Sequence, residues 1–572
     1  LLVFFLTRRL YGPHVALVAC GMMNVYWIFI YFEGRIHEPV VLVFLILSLM
    51  LLCQHLARNM TFWRSLGAGV LLGLAALVRP NVLLFTPVLL GWGWWVTRRQ
   101  RSGRGYPVFS TGVVLGLIGA VAPVTIRNYM AGEEFVLISA NAGVNLYIGN
   151  NEHSRGSPVF DLPDLPASDT SFDYPRNVKH LEKKLGRKLK YSEVSRYYAG
   201  QALRFIRANP GAFAKLAARK AALFWSPNEI RHNYEVAMDR EKSDLLSRIP
   251  GDFSLALSAA LAGCLLLSIH FRRMKESPGE SLETTVLMGL FVLTYFVSFV
   301  PFFVTSLYRV PVIPILLVFG AFGVFKIGEL FWNRRFVASL AGIVLIATVH
   351  YFHSSSEHPE EHRRSLAGWH FLRGVAYSYS DENGGAVNEY MKAIEAFPGS
   401  FRAHCNIAVI LEGWGKVDDA EAHFLAALEI KPDFADAYFG LANLQARQGR
   451  IDEAIRNYTK AVELRPDFTA ARLNMANALM MKGKFAGALS EYEQVLADEP
   501  ESAVVHCNMG LALAHLERLD EAVRHYREAL RIKPGYATAR FNLECALERL
   551  EKNRDRSMPM SMPHDVERFH RR

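Results

Sequence analysis

The sequence predicts a mainly α-helical chain in two parts, a multi-spanning bundle of apolar helices followed by a helical solenoid. Three observations carry this reading. Residues 1–352 alternate long apolar runs with short charged loops, whereas the remainder places Ala, Glu, Arg and Asn at helical spacing. Within that remainder Pro398, Pro432, Pro466, Pro500 and Pro534 recur every 34 residues, a period that belongs to stacked helix pairs. With 572 residues, the chain has room for more than one domain.

In chain order, residues 1–6 are too short to cross a hydrocarbon core of roughly 30 Å and read as the end of a helix. The opening Leu-Leu-Val-Phe-Phe-Leu has neither an initiator Met nor a basic leader, so the chain reads as the continuation of a longer protein. Candidate spans fall at 13–31, 38–57, 65–78, 81–97, 108–126, 252–271, 284–303, 307–326 and 336–352. The pair 65–78 and 81–97 is short and interrupted by Arg79-Pro80. Proline removes a backbone donor there and stops the first helix, which predicts a bent or re-entrant hairpin.

Sidedness follows from Lys and Arg in alternate short loops. One set contains Arg8, Arg9, Arg58, Arg64, Arg98, Arg99, Arg101, Arg104, Arg272, Arg273, Lys275, Lys326, Arg334 and Arg335; the other has only Arg35, Arg79 and Arg309. By the positive-inside rule the first set is cytoplasmic. Glu38, the Arg79-Pro80 turn, the polar segment 127–251 and everything after 352 then lie on the extracytoplasmic side of a bacterial inner membrane. The segment 127–251 is Pro- and Asp-rich around 157–164 and carries helical patterns near 191–209 and 211–225, so it reads as a domain rather than a loop.

The expected organisation is therefore transmembrane helices over 1–126 and 252–352, the external domain 127–251, a linker 353–366, repeats with a capping helix over 367–553, and a disordered basic tail 554–572. With each proline at position 32 of its repeat, position 20 is Ala386, Ala420, Ala454, Ala488 and Ala522. Position 24 is Tyr390, Phe424, Tyr458, Tyr492 and Tyr526, and Gly415, Gly449 and Gly483 stand at position 15. Small residues let paired helices approach, aromatics fill the space between pairs, and glycine allows the turn. These residues resemble the tetratricopeptide repeat in five registers, with 537–553 as the cap that shields the last apolar face. The first register departs from the pattern at Asp381-Glu382-Asn383-Gly384-Gly385. Such a solenoid receives a peptide or protein. Asn406, Asn443, Asn474, Asn477 and Asn508 on the first helices either hydrogen-bond a bound backbone or cap and solvate their own helices.

The apolar half carries a second resemblance. Arg8-Arg9-Leu10-Tyr11-Gly12, His37-Glu38-Pro39, the Gly69-to-Pro80 run, Arg127-Asn128-Tyr129, the Asn141-to-Asn151 run and Tyr308-Arg309-Val310-Pro311-Val312-Ile313-Pro314 stand in order along 1–350. Together they resemble polyprenyl-phosphate-sugar-dependent membrane glycosyltransferases of the GT-C fold, the protein O-mannosyltransferase and aminoarabinose-transferase superfamily. The resemblance implies transfer of a sugar from a polyprenyl phosphate to a protein or glycan acceptor outside the cytoplasm. Such a step needs a carboxylate for the acceptor's proton and cations for the departing phosphate.

By that resemblance Glu38 assists the base or orients a divalent metal; otherwise it is an interfacial acid facing water. His37 is a weaker candidate metal ligand. Arg79 and Arg309 are candidate phosphate-binding residues, against a reading in which Arg79 only snorkels to headgroups. Arg127 and the loop 145–151 are candidates to border the acceptor cleft. The family's main catalytic acid lies in a first external loop, which the sequence in hand does not contain. The resemblance implies a lipid-phosphate-linked sugar as donor and leaves a metal requirement open.

Composition narrows the alternatives. The formal net charge of +10 comes largely from loops beside apolar runs, which argues against nucleic acid. The six cysteines form no Cys-x-x-Cys pair and no metal-ligand spacing, so they read as packed free thiols. A transporter is disfavoured because the spans carry almost no internal charge. A non-catalytic, membrane-anchored scaffold for the repeats remains the alternative to the transferase.

Overall fold

The computed structural model describes residues 1–26, 38–100, 105–156, 162, 165, 174–226, 253–273, 279–354 and 359–557. Residues 27–37, with His37, most of the stretch 157–164, and the tail beyond 557 lie outside the described residues. Every regular element described is helical, and the chain divides into two compact units, Leu1–Leu366 and Ala367–Arg572.

Among the described residues of the first unit six segments are long and apolar enough to cross a membrane: Glu38–Leu56, Gly105–Gly132, Phe253–Arg272, Leu282–Phe299, Val310–Trp332 and Phe336–His353. Three of the nine expected spans, 13–31, 65–78 and 81–97, do not reach that length among the described residues. Helix Phe62–Val78 is apolar, but its 17 residues extend only about 26 Å. The helix expected from 81 starts as a 3-10 turn, Pro80–Leu84, and becomes α-helical only at Phe85–Arg99. Within 13–31 the described helix is Pro13–Asn24. Large apolar side chains, among them Phe44, Leu115, Ile118, Leu261, Leu293 and Val337, face outward on the long helices. In water such surface is costly, whereas lipid accommodates it.

Glycine allows close helix contact. A Cβ on Gly69 would sit 2.1 Å from the Val113 carbonyl oxygen, and one on Gly116 would sit 2.1 Å from that of Leu66. Helices Phe62–Val78 and Gly105–Gly132 therefore touch backbone to backbone, as small-residue stripes permit between helices in lipid.

The loops rich in arginine meet at one end of the bundle. Arg9 bonds His55, Gln100 bonds the Ala57 carbonyl, and Arg99 lies 3.9 Å from Glu283. Glu38, Arg79 and the segment following Phe299 meet at another. Between the spans, helices Tyr191–Ala208 and Pro210–Phe224 occupy the two helical patterns expected near 191–209 and 211–225. They are accompanied by Ala142–Gly149 and Tyr174–Leu185.

The second unit is built from helix pairs. Helix Pro359–Tyr379 begins within the stretch expected as linker and contributes the first helix of the first pair, followed by Asn383–Ala396. The next pairs are Phe401–Gly413 with Val417–Ile430, Ala435–Arg447 with Ile451–Leu464, Thr469–Met481 with Phe485–Asp498, and Ala503–His515 with Leu519–Ile532; Ala537–Ser557 caps them. All five position-20 alanines are fully buried, and the five position-24 aromatics are no more than 2% exposed. Packing, rather than helix propensity, therefore fixes these residue types.

The turn inside each pair needs a left-handed residue at position 15. Gly415, Gly449 and Gly483 supply it at φ 74°, 78° and 70°, but the first and last registers use Asp381 at 58° and Glu517 at 60°. A side chain in this region is strained by roughly 1–2 kcal/mol, while glycine's extra freedom when unfolded offsets roughly 0.5–1. Asp381→Gly is therefore expected to stabilise the first repeat by about 0.5–1 kcal/mol, read as a higher denaturation midpoint of the repeat unit.

Candidate functional site

Arg79 ends helix Phe62–Val78 in an extended conformation, φ −141° and ψ 107°, the backbone that a following proline enforces. The bend turns its side chain into the bundle, where it is 5% exposed. Its Nε donates to Glu38 Oε1 at 3.1 Å and its Nη2 donates to the same oxygen. The Tyr308 ring lies 4.6 Å from Cζ, close enough for a cation–π contact. Among the described residues Nη1 is buried without a completed hydrogen bond, beside the buried Tyr295 hydroxyl, which interacts with the guanidinium. Asn81 donates to Ser298 Oγ at 2.8 Å, fixing the turn after Arg79 against helix Gly279–Phe299.

The Glu38 side chain is 44% exposed and reaches water while holding a buried cation. A carboxylate so engaged orients a guanidinium better than it accepts a proton. Arg79, Glu38 and Tyr308 thus form one cluster, in which an open donor among phenols suits an oxyanion.

The other sequence candidates are elsewhere. Arg309 is 1% exposed; its Nη1 bonds the Ser226 carbonyl, and its Cζ lies 4.1 Å from the Phe253 ring centroid. Its neighbour Tyr308 faces Arg79, so the two consecutive residues serve different surroundings. Arg127 is exposed on helix Gly105–Gly132. Asn150 and Asn151 are buried and bond backbone carbonyls, Leu146 and Pro301 for the first and Tyr147 for the second, so they hold the loop shut.

Sequence reasoning missed Lys220. This fully buried amine on helix Pro210–Phe224 donates to Asn150 Oδ1 at 2.9 Å, and burial pushes its pKa down to about 7. Only its place on an otherwise apolar helical face could have signalled it. At the arginine-rich end a cleft of about 390 Å³ is lined by Phe5, Arg9, Leu51, Leu52 and His55. Among the described residues no group of three or more His, Cys, Asp or Glu side chains is arranged to hold a metal.

In the repeats the asparagines bond one another across registers. Asn443 Oδ1 accepts from Tyr458 Oη at 2.6 Å and from Asn474 Nδ2 at 2.9 Å. Asn477 Oδ1 accepts likewise from Tyr492 at 2.6 Å and Asn508 at 3.1 Å, and Asn406 donates to Tyr390 Oη at 3.1 Å. The sequence reading offered capping or ligand contact; part of each amide instead joins successive repeats. Where position 24 is Phe424, the matching position in the next repeat is Gly440, whose absent Cβ would lie 2.3 Å from the ring.

Tetratricopeptide-repeat family models match residues 371–433, 415–467, 445–512 and 503–536, so this part of the chain carries tetratricopeptide repeats. Among solved structures, the chain is similar to YrrB, described as a tetratricopeptide-repeat protein with an unusual peptide-binding site. The identity is 23%, covering 30% of this chain and 89% of that one, with a TM-score of 0.28. It is also similar to the MamA protein at 20% identity, covering 30% and 94%, with a TM-score of 0.28. A MamA fragment from Desulfovibrio magneticus RS-1 is 18% identical, covering 28% and 97%, with a TM-score of 0.24. No curated protein matches the chain.

Two substitutions probe these arrangements. Tyr458→Phe removes the hydroxyl that Asn443 accepts and should lower repeat stability by about 1 kcal/mol in a denaturation series. Glu38→Gln leaves Arg79 facing a neutral amide. Because Glu38 is nearly half exposed, the expected loss is about 1–2 kcal/mol, below that of a fully buried pair. It should appear as a lower melting temperature of the chain in detergent.

Proposed function

We propose that the chain is the membrane portion of a glycosyltransferase that takes a sugar from a polyprenyl phosphate, with its repeats holding the acceptor protein or another protein partner. The supporting observation is the open Nη1 of Arg79. Phosphate oxygens of the lipid would occupy that donor while Glu38 and Tyr308 keep the guanidinium aimed. Glu38 is then a positioning residue for Arg79, and the base that takes the acceptor's proton is assigned to no residue named here. Charge counting puts the cluster on the extracytoplasmic side, together with segment 127–251 and the repeats.

The repeats fit an extended peptide because Asn443 and Asn477 spend their carbonyl oxygens on neighbours while their own amide N–H groups are unused among the described residues. A second reading, a non-catalytic scaffold anchored by the bundle, is favoured by the engagement of Glu38 in an ion pair.

Binding separates the two. The full chain in nanodiscs should bind a polyprenyl monophosphate more tightly than the corresponding polyprenol. Arg79→Gln should weaken phosphate-dependent binding roughly ten- to a hundredfold, as loss of a charged hydrogen-bond donor implies. Equal affinity for the two lipids, or native affinity in Arg79→Gln, would overturn the transferase reading in favour of the scaffold.

A further inference from the structure

Repeat positions 4 and 23, on the first and second helices of each pair, face one another, and their chemistry changes along the solenoid. The first register pairs His370 Nδ1 with Glu389 Oε2 at 2.8 Å, with Lys392 and Arg373 also on that carboxylate. The third has Tyr438 and Asn457, and the fourth joins Arg472 to Glu491 at 2.8 Å. The second and fifth, three repeats apart, each bring two histidines together. His404 and His423 have Nδ1 atoms 3.0 Å apart, and so do His506 and His525.

We propose that each of these two histidine pairs binds one borderline transition-metal ion, Ni²⁺, Cu²⁺ or Zn²⁺, between the helices of its repeat. The separation is nearly the span two imidazole nitrogens need. Metal–nitrogen bonds of about 2.0–2.1 Å at a tetrahedral angle place the nitrogens roughly 3.3–3.4 Å apart, so the rings must part by about 0.4 Å. Imidazole is the ligand type these ions favour.

In the fifth register the orientation is already set. His506 Nε2 bonds the Pro500 carbonyl at 3.3 Å, so its Nδ1 carries the lone pair and faces His525. Such a bond from the distal nitrogen to a carbonyl is what holds metal-ligating histidines in place. A metal would take the place of the single proton now held between the two Nδ1 atoms; that proton moves by way of solvent to Nε2 of His525, so both imidazoles stay neutral and no net proton is released. Burial, with the facing imidazole second, holds His404 and His525 below the usual histidine range and so keeps them neutral. Asp419 near His423 and Glu528 near His506 and His525 supply negative charge without being close enough to count as ligands. Water would complete each coordination sphere. The first register lacks this chemistry because Lys392 and Arg373 already neutralise its carboxylate.

The test is a Ni²⁺ titration of the full chain in detergent, with bound metal counted against protein. His423→Ala and His525→Ala should each remove one equivalent and the double variant two, while His370→Ala should remove none. At a hundredfold excess of Ni²⁺ over the dissociation constant, each intact pair should raise the melting temperature of the repeats by roughly 5–10 °C, and the double variant should lose that rise. If an alanine variant fails to fold, His525→Asn keeps a polar side chain there and carries the same expectation. Unchanged stoichiometry in the double variant, or an equal loss on removing His370, overturns the proposal.

Discussion

A guanidinium at 5% exposure cannot stand alone in an apolar bundle, and much of the first unit's geometry answers that constraint. Arg79 is where it is because Pro80 ends the helix before it and forces an extended backbone. To hold the charge, the bundle supplies the first residue of one helix, Glu38, and the face of Tyr308 from the segment ahead of another. Asn81 then locks the turn to Ser298. Helix ends distant in sequence are thereby fixed by one side chain. The arrangement consumes Glu38 as counter-ion while leaving one guanidinium nitrogen open.

The second unit obeys a different constraint, the room between helices. Fully buried alanines at position 20 admit an aromatic at position 24, and that aromatic decides what the following repeat carries at position 6. A tyrosine hydroxyl meets asparagine, as in Tyr390 with Asn406; the phenylalanine at 424 meets Gly440. Each repeat thus contributes half of a contact and needs its neighbour for the rest, which makes the stack cooperative between adjacent units.

What the sequence revealed follows the same division. The 34-residue period and the buried alanines were legible because each repeats a local rule five times, and the turn glycines because they repeat one three times. The asparagine pairs were not, because residues 31 apart become neighbours only through the rise from one repeat to the next. The bend between 65–78 and 81–97 was legible for a related reason: the Arg79-Pro80 break is local, and proline there limits each helix to a short run. Arg79 was recognisable from its place before a proline, whereas its grip on Glu38 depends on two helix ends meeting. Lys220 and Asn150 were invisible as a pair, since nothing local links positions 70 residues apart.

Tyr308 and Arg309 show how far adjacency in sequence misleads about a site. The 3-10 turns Ser306–Tyr308 and Val310–Val312 flank Arg309, so consecutive side chains leave the backbone in different directions. Tyr308 therefore joins the Arg79 cluster, while Arg309 stacks on Phe253 and bonds the Ser226 carbonyl. Two arginines that look equivalent in the sequence acquire different surroundings. The Arg309 guanidinium ties the end of the 210–226 region to the bundle, so its loss would be felt in folding. Arg79 keeps Nη1 without a completed hydrogen bond among the described residues, beside the buried Tyr295 hydroxyl, so its surroundings hold the charge without using every donor.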